Sequence, residues 1–524
     1  MSERLTRVSL ESALSHAQTS GIQVLGPEFN PDDIAVGIVH LGIGAFHRAH
    51  QAVYTELAAA KNGDTRWGIM GVTQRSRSVV DQLQPQDCLY SVLEKGAEST
   101  ELRVISSVRD VAFPGSDSSR VIAVLARPTT HIVSLTVTEK GYRATAAGGL
   151  DTEDPSLRAD IDLIIDDLGV GSSGGPDERN YATPIGLLVR GLLERARRAL
   201  APTREVKPGG ITVLCCDNMV DNGRVVQRLV SELLEAAGIV HSDPVWEWLM
   251  ANVTYPCTMV DRIVPATTAA NRKEALEILA VHDEGLVVAE PFMQWVIEDN
   301  FAGPRPKWEE VGATLTDDVA PFEQAKLRML NGSHSMLAYL GALHDKTLIA
   351  DAVLDPEIGA TVRAFLHNDV VPTLTIPQGM DLEEYAASLL DRFSNPNTGH
   401  TTIQVAMDGS KKLPFRIFGT VSDRLSHGVI PTGAAQALAS WLIFVARGAS
   451  FAGSPLVLDD PRSAELSVAT GRGNPAVNAW GLALEAEVIV DNVWALPNLV
   501  PQDVANHEEF RAAVAAEMKA MLGR

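Results

Sequence analysis

Between Glu323 and His334 the chain reads EQAKLRMLNGSH, and three of these side chains have the chemistry of a proton-transfer site. At roughly 100° per helical residue, Asn331 and His334 stand about 60° apart and His334 about 80° from Lys326, so all three line one broad helix face. If that face borders a cleft, desolvation and neighbouring positive charge lower the lysine pKa toward neutrality and suit Lys326 to general acid–base work. Asn331 then donates to a developing alkoxide, and His334 positions a substrate hydroxyl. Taken alone, the residues favour the plainer reading of an amphipathic helix with a solvated lysine and a satisfied histidine.

A second group follows the apolar run Ile211–Leu214. Cys216-Asp217-Asn218 stands where a parallel strand would end, the place at which open α/β sheets bind ligands, and Asn218 there is a second candidate oxyanion donor. The alternative is an Asx turn or cap leading into a helix after Gly223. Asp261-Arg262 interrupts the apolar stretch Met259–Ile263 and asks for a partner, and a structural ion pair is one reading.

These groups need a scaffold. Ile38–Leu41 runs into Gly42-Ile43-Gly44, and Ala45–Ala60 has helical composition, ending at Asn62-Gly63. Strand, glycine turn and helix is the arrangement that brings backbone N–H groups and a helix N-terminus against a pyrophosphate. Gly42, Gly44, Ala45 and Phe46 are therefore the candidate dinucleotide contacts. His47 stands where the usual fingerprint has a third glycine, so an ordinary turn explains the segment equally well. The next strand, Gly68–Val72, leads to Thr73-Gln74-Arg75-Ser76-Arg77 in place of the usual ribose-binding acid. Arg75 suits an NADP 2′-phosphate or a solvated surface, leaving NAD and NADP both open.

Further strands are expected at Ile132–Val137 and Ile211–Leu214, and a hairpin from Leu89–Leu93 and Leu102–Ser106 around Lys95-Gly96. Gly169–Pro176 reads as a surface loop before a helix over Leu187–Leu200. Beyond about Leu286 helical periodicity takes over, through Phe322–Leu343, Ile358–Asn368, Leu382–Leu390, Ala434–Val445 and Phe510–Leu522. The expected domains are 1–286, a dinucleotide-binding α/β domain, and 287–524, a mainly helical one.

At 524 residues the chain exceeds one ordinary core, and 45% apolar with 21% charged residues is a globular composition. No run reaches the roughly 18 apolar residues of a bilayer span, so no membrane partner is expected. A net charge of −22 argues against a nucleic-acid surface but leaves room for a local basic pocket holding a small anion. The N-terminus lacks a secretory h-region. Cys88, Cys215, Cys216 and Cys257 have neither a disulfide nor a zinc-site spacing, so a cytoplasmic protein without metal is expected. The absence of a coiled-coil or exposed apolar stripe points to a monomer.

At these residues the chain resembles the long-chain mannitol dehydrogenase family. The resemblance spans roughly residues 35–450 and rests on HLGIGAFHRAHQ (40–51), SLTVTEKGY (134–142), CDN (216–218), TMVDRIVP (258–265), EPFMQWVIEDNF (290–301), KLRMLNGSHS (326–335), DRFSN (391–395) and MDGSKKLP (407–414). It implies a Rossmann-type N-terminal domain with a mainly α-helical C-terminal domain, an active site between them, and metal-independent NAD(P) chemistry. By that resemblance Lys326 is the catalytic base, Asn218 and Asn331 stabilise the oxyanion, and His334 positions substrate. Asp261 and Lys412 match positions that bind substrate hydroxyls, and Glu139 matches an acid associated with proton exchange to solvent.

Within the family, ESTELRVISS, YPCTMVDRIVPATT, EPFMQWVIEDNF and HTTIQVAMDGSKKLP are most similar to fructuronate reductases, which interconvert D-fructuronate and D-mannonate. Gln404 stands at a substrate-binding position where mannitol dehydrogenases carry arginine. A carboxylate substrate also needs a cation, for which Lys412, Arg416 and His400 are candidates. Alternatives are a mannitol 2-dehydrogenase or another polyol or sugar-acid member, and, in a different class, a catalytically silent dinucleotide-binding regulator.

Overall fold

Val36–Leu41 (VGIVHL) is buried at all but its first residue, the signature of a strand covered on both faces. In the computed structural model, which describes residues 3–27, 29–145, 147–168, 180–202, 206–472 and 485–523, this segment is the centre of a six-stranded sheet. Its members are β2 (Val36–Leu41), β3 (Gly68–Val72), β6 (Val108–Ala112), β7 (Ile132–Leu135), β8 (Ile211–Cys215) and β9 (Val253–Thr254). They lie in the order β6-β3-β2-β7-β8-β9, every neighbouring pair parallel. That is the Rossmann order, with the crossover reversing between β2 and β7, where a doubly wound sheet leaves a crevice at its carboxyl edge.

Two smaller sheets belong to the same unit. The expected hairpin exists as antiparallel β4 (Tyr90–Lys95) and β5 (Thr100–Ile105), flanked by β1 (Gln23–Leu25) and β11 (Val287–Ala289). The third sheet joins β10 (Thr258–Asp261), β12 (Gln294–Glu298) and β13 (Thr314–Thr316). Residues 287–316 thus supply strands to two sheets begun before residue 287. The compact units are accordingly Met1–Val319 and Ala320–Arg524, whereas helical periodicity placed the break at 286/287. The loop expected over Gly169–Pro176 lies outside the described residues.

Among its described residues the second unit's named elements are all helices, joined by loops. The helix Thr432–Arg447 is buried at nearly every position from Gly433 to Ala446, so it runs through the core while the helices Gly332–Leu343 and Glu508–Leu522 pack on it. Among the described residues no helix is long and apolar enough to cross a membrane.

The run expected as one helix over Phe322–Leu343 is interrupted. Ala320–Ala325 is α-helical, Lys326–Asn331 is a π-helical turn, and the α-helix resumes at Gly332. Two more π turns occur at Leu366–Val370 and Pro414–Phe418, and the latter packs on the first. Gly332 permits that approach, because a Cβ there would lie 3.0 Å from the Arg416 carbonyl oxygen. The α-helical angles assumed for Lys326, Asn331 and His334 therefore do not apply across 326–331, where each turn holds an extra residue.

Candidate active site

At the exit of β2, Gly42 has φ +101°, and a Cβ would stand 2.1 Å from the Thr136 carbonyl oxygen. Only glycine can turn the chain there. Gly42 and Ile43 both donate to the Val72 carbonyl, tying the turn to the end of β3. Gly44 is exposed, has only backbone near its Cβ position, and caps the short helix Ala45–Ala49, leaving open backbone at the helix start. Ala45 and Phe46 are half-buried, with the Phe46 ring stacked on His50 at 5.0 Å. Arg75 is exposed beyond β3; Arg77 pairs with Asp81.

Glu139 and Asn218 are both exposed, on the loops that leave the adjacent strands β7 and β8. Sequence reasoning passed over the residue that joins those loops. The buried Asp217 carboxylate accepts from Val137 N (3.1 Å), Thr138 N (2.7 Å) and Tyr142 Oη (2.6 Å). It is therefore no helix cap. The helix beginning at Asn222 is preceded by Asp221, whose side chain makes no capping bond, while Asn222 Nδ2 donates to the carbonyls of Asp217 (3.0 Å) and Thr258 (2.8 Å). Burial raises the Asp217 pKa against the lowering effect of its hydrogen bonds. The available signal was an acid directly following six buried residues, Ile211 to Cys216, which demands partners.

Asp261 ends β10 and is buried. Arg262 ties down neighbouring backbone: its guanidinium meets Glu94 at 2.5 Å, the Glu290 carbonyl at 2.7 and 2.9 Å, and the Ala49 carbonyl.

In the second unit, Lys326 and Asn331 are buried at the two ends of the π turn, and His334 lies in the first turn of the α-helix that resumes at Gly332. The His334 ring is stacked on His400, centroids 5.6 Å apart, and tilted against Phe393 at 5.0 Å. His334 Nε2 and His400 Nδ1 are buried without hydrogen-bond partners among the described residues. Burial, then His400 and the positive charges of Arg416, Lys412 and Arg392, keep the His334 pKa well below the usual imidazole value. Arg416 donates to Ser335 Oγ at 3.0 Å and to the Asn331 carbonyl at 3.4 Å, and burial pulls it down to about 10. Lys412 Nζ lies 3.4 Å from the Val405 carbonyl; burial and then Arg416 lower its pKa, against Asp408 and Asp460. A neutral histidine thus sits among cations, with Arg392, from the DRFSN block, the member sequence reasoning did not single out. Gln404 is exposed and closes a capping box with Thr401, its Oε1 3.3 Å from Thr401 N.

Residues 36–310 match the family profile of the mannitol dehydrogenase Rossmann domain, and residues 318–510 that of the mannitol dehydrogenase C-terminal domain. The chain is 42% identical to the D-mannonate oxidoreductase of Escherichia coli K12 over 452 residues, 85% of this chain and 87% of that one. It is 33% identical to a mannitol 2-dehydrogenase of Aspergillus oryzae, over 84% of each chain. The solved Pseudomonas fluorescens mannitol 2-dehydrogenase, a ternary complex with NAD and D-mannitol, superposes with a TM-score of 0.77 at 31% identity, covering 99% of this chain and 96% of that one.

Proposed function

Because this chain belongs to the mannitol dehydrogenase family of oxidoreductases, we propose that it interconverts D-fructuronate and D-mannonate with NAD as the hydride carrier. The observation that carries the choice of a sugar acid is the cluster of Lys412, Arg416 and Arg392 around the stacked pair His334 and His400. A carboxylate brought there replaces water with charge-assisted hydrogen bonds. The similarity to a D-mannonate oxidoreductase supports the same choice.

The glycine turn fits a dinucleotide: Gly42, Gly44, Ala45 and Phe46 would hold the pyrophosphate, and the nicotinamide, when bound, supplies or takes the hydride at C2. Arg75, standing where a ribose-binding acid is usual, keeps NADP as the competing carrier. In the proposed chemistry Lys326 Nζ gives a proton to the C2 oxygen in reduction and takes it in oxidation. Asn218 and Asn331 donate to that oxygen as charge develops, His334 and Asp261 orient neighbouring hydroxyls, and Glu139 passes the proton to solvent. No metal has a part in this scheme.

The neutral-polyol reading, mannitol to fructose, is favoured by one observation. Gln404 serves the Thr401 capping box, so a local structural need accounts for a glutamine at that position. Initial oxidation rates with D-mannonate and D-mannitol, each with NAD and with NADP and followed by nicotinamide absorbance, decide between them. Faster mannonate oxidation upholds the proposal; faster mannitol oxidation replaces it with the polyol reading; no turnover on either points to a silent dinucleotide-binding protein.

A further inference from the structure

Thr138 has φ +64° and ψ 158°, a backbone region that glycine occupies and a β-branched residue enters only under constraint. The constraint is visible. The Thr138 N–H donates to one oxygen of Asp217 at 2.7 Å, and the Val137 N–H to the other at 3.1 Å. Tyr142, at the far end of the same turn, donates to the second oxygen at 2.6 Å. Asp217 is itself held, its carbonyl accepting from Met219 N at 2.9 Å and Asn222 Nδ2 at 3.0 Å. Asn222 in turn binds Thr258, so the ends of β7 and β8 and the start of β10 share one buried polar network.

We propose that Asp217 is a positioning residue, a clamp that holds Thr138 in its strained conformation and thereby fixes both Glu139 and Asn218. Each of those exposed residues is the immediate chain neighbour of a clamped one. A glycine at 138 would adopt the same backbone without strain, so a threonine there makes the loop geometry dependent on the clamp. The proposal rests on the roles given above to Glu139 and Asn218.

The test uses the purified full chain with its faster sugar substrate and NAD, reading kcat, KM and, by tryptophan quenching, the Kd for NAD. Asn at 217 offers one acceptor oxygen for two backbone donors, so Asp217→Asn is expected to lower kcat about tenfold or more while the Kd for NAD stays within about threefold. Adding Thr138→Gly is expected to restore kcat by about threefold or more, because glycine holds that φ without the clamp. Should Asp217→Asn not fold, Tyr142→Phe removes one donor from the same carboxylate and is expected to lower kcat about threefold with the Kd for NAD unchanged. Wild-type kcat in Asp217→Asn or in a folded Tyr142→Phe, or no restoration in the double variant, overturns the clamp. Lys326→Ala, measured alongside, separates the two levels: full turnover in it removes the underlying reading and the clamp together, whereas an inactive Lys326→Ala beside a fully active Asp217→Asn removes the clamp alone.

Discussion

The imidazole of His47 lies flat on that of His40, ring centroids 3.4 Å apart and planes within 13°. Both rings are buried, and His40 spends its two nitrogens on Ser134 Oγ and Thr136 Oγ1 at 2.8 Å each, whereas neither nitrogen of His47 has a hydrogen-bond partner among the described residues. Burial pulls His40 down to about 3 and His47 well below its usual value, the latter also through the neighbouring His40.

Both histidines are therefore neutral when folded and free to charge when unfolded. Their stabilisation is complete above the unfolded pKa of about 6.5 and is lost as pH falls toward the folded value. Buried Glu56, pushed up to about 6, has the opposite sign: its contribution is present below the unfolded value and lost as pH rises through about 6. Urea midpoints of wild type against His47→Leu isolate one histidine. The variant should lose about 1.4 kcal/mol per pH unit of acid-side slope below pH ~6, and an unchanged slope would place the proton uptake elsewhere.

Lys326→Ala should leave NAD binding within about threefold and cut turnover by several orders of magnitude, since it deletes the proposed proton carrier while leaving the glycine turn intact. Single-turnover absorbance and fluorescence titration read the two quantities separately.

Lys412→Met keeps the aliphatic stem and removes the charge. A charge-assisted hydrogen bond exceeds a neutral one by about 1 kcal/mol, so the ratio of kcat/KM for mannonate over mannitol should fall about fivefold to tenfold. A ratio that does not move would take the carboxylate away from Lys412.

Gly42→Ala would drive a methyl against the Thr136 carbonyl at a φ alanine avoids. Loss of stability by about 2 kcal/mol or more is expected, with NAD binding weakened in whatever protein folds. Thermal melts with and without NAD measure both effects.

The central strands were readable because a strand covered on both faces leaves few residue types to choose from: β2, β3, β7 and β8 fall within two residues of their expected limits. Local patterning also located the β4–β5 hairpin. It missed β11, β12 and β13, which are short, and β11 pairs with β4 far away in sequence, so periodicity set the domain break ahead of all three. Individual ligand candidates were legible from residue type, but not their second duties. The Thr401-x-x-Gln404 spacing carries the capping-box pattern but was weighed only for substrate, and the acid at 217 asked for partners without naming them, which appear only when the β7 loop is folded against it. Arg392 joins the cationic group through tertiary packing, which periodicity does not report.

The π turn at Lys326–Asn331 sets a limit on transplanting this chemistry. A turn that holds an extra residue advances less per residue than an α-helix, and on a regular α-helix five steps of roughly 100° would put Asn331 about 140° around from Lys326. The spacing Lys-x4-Asn-x2-His is consequently an address written for a widened, underwound cylinder. Grafted onto a regular helical scaffold it would carry the same letters and deliver them to different faces.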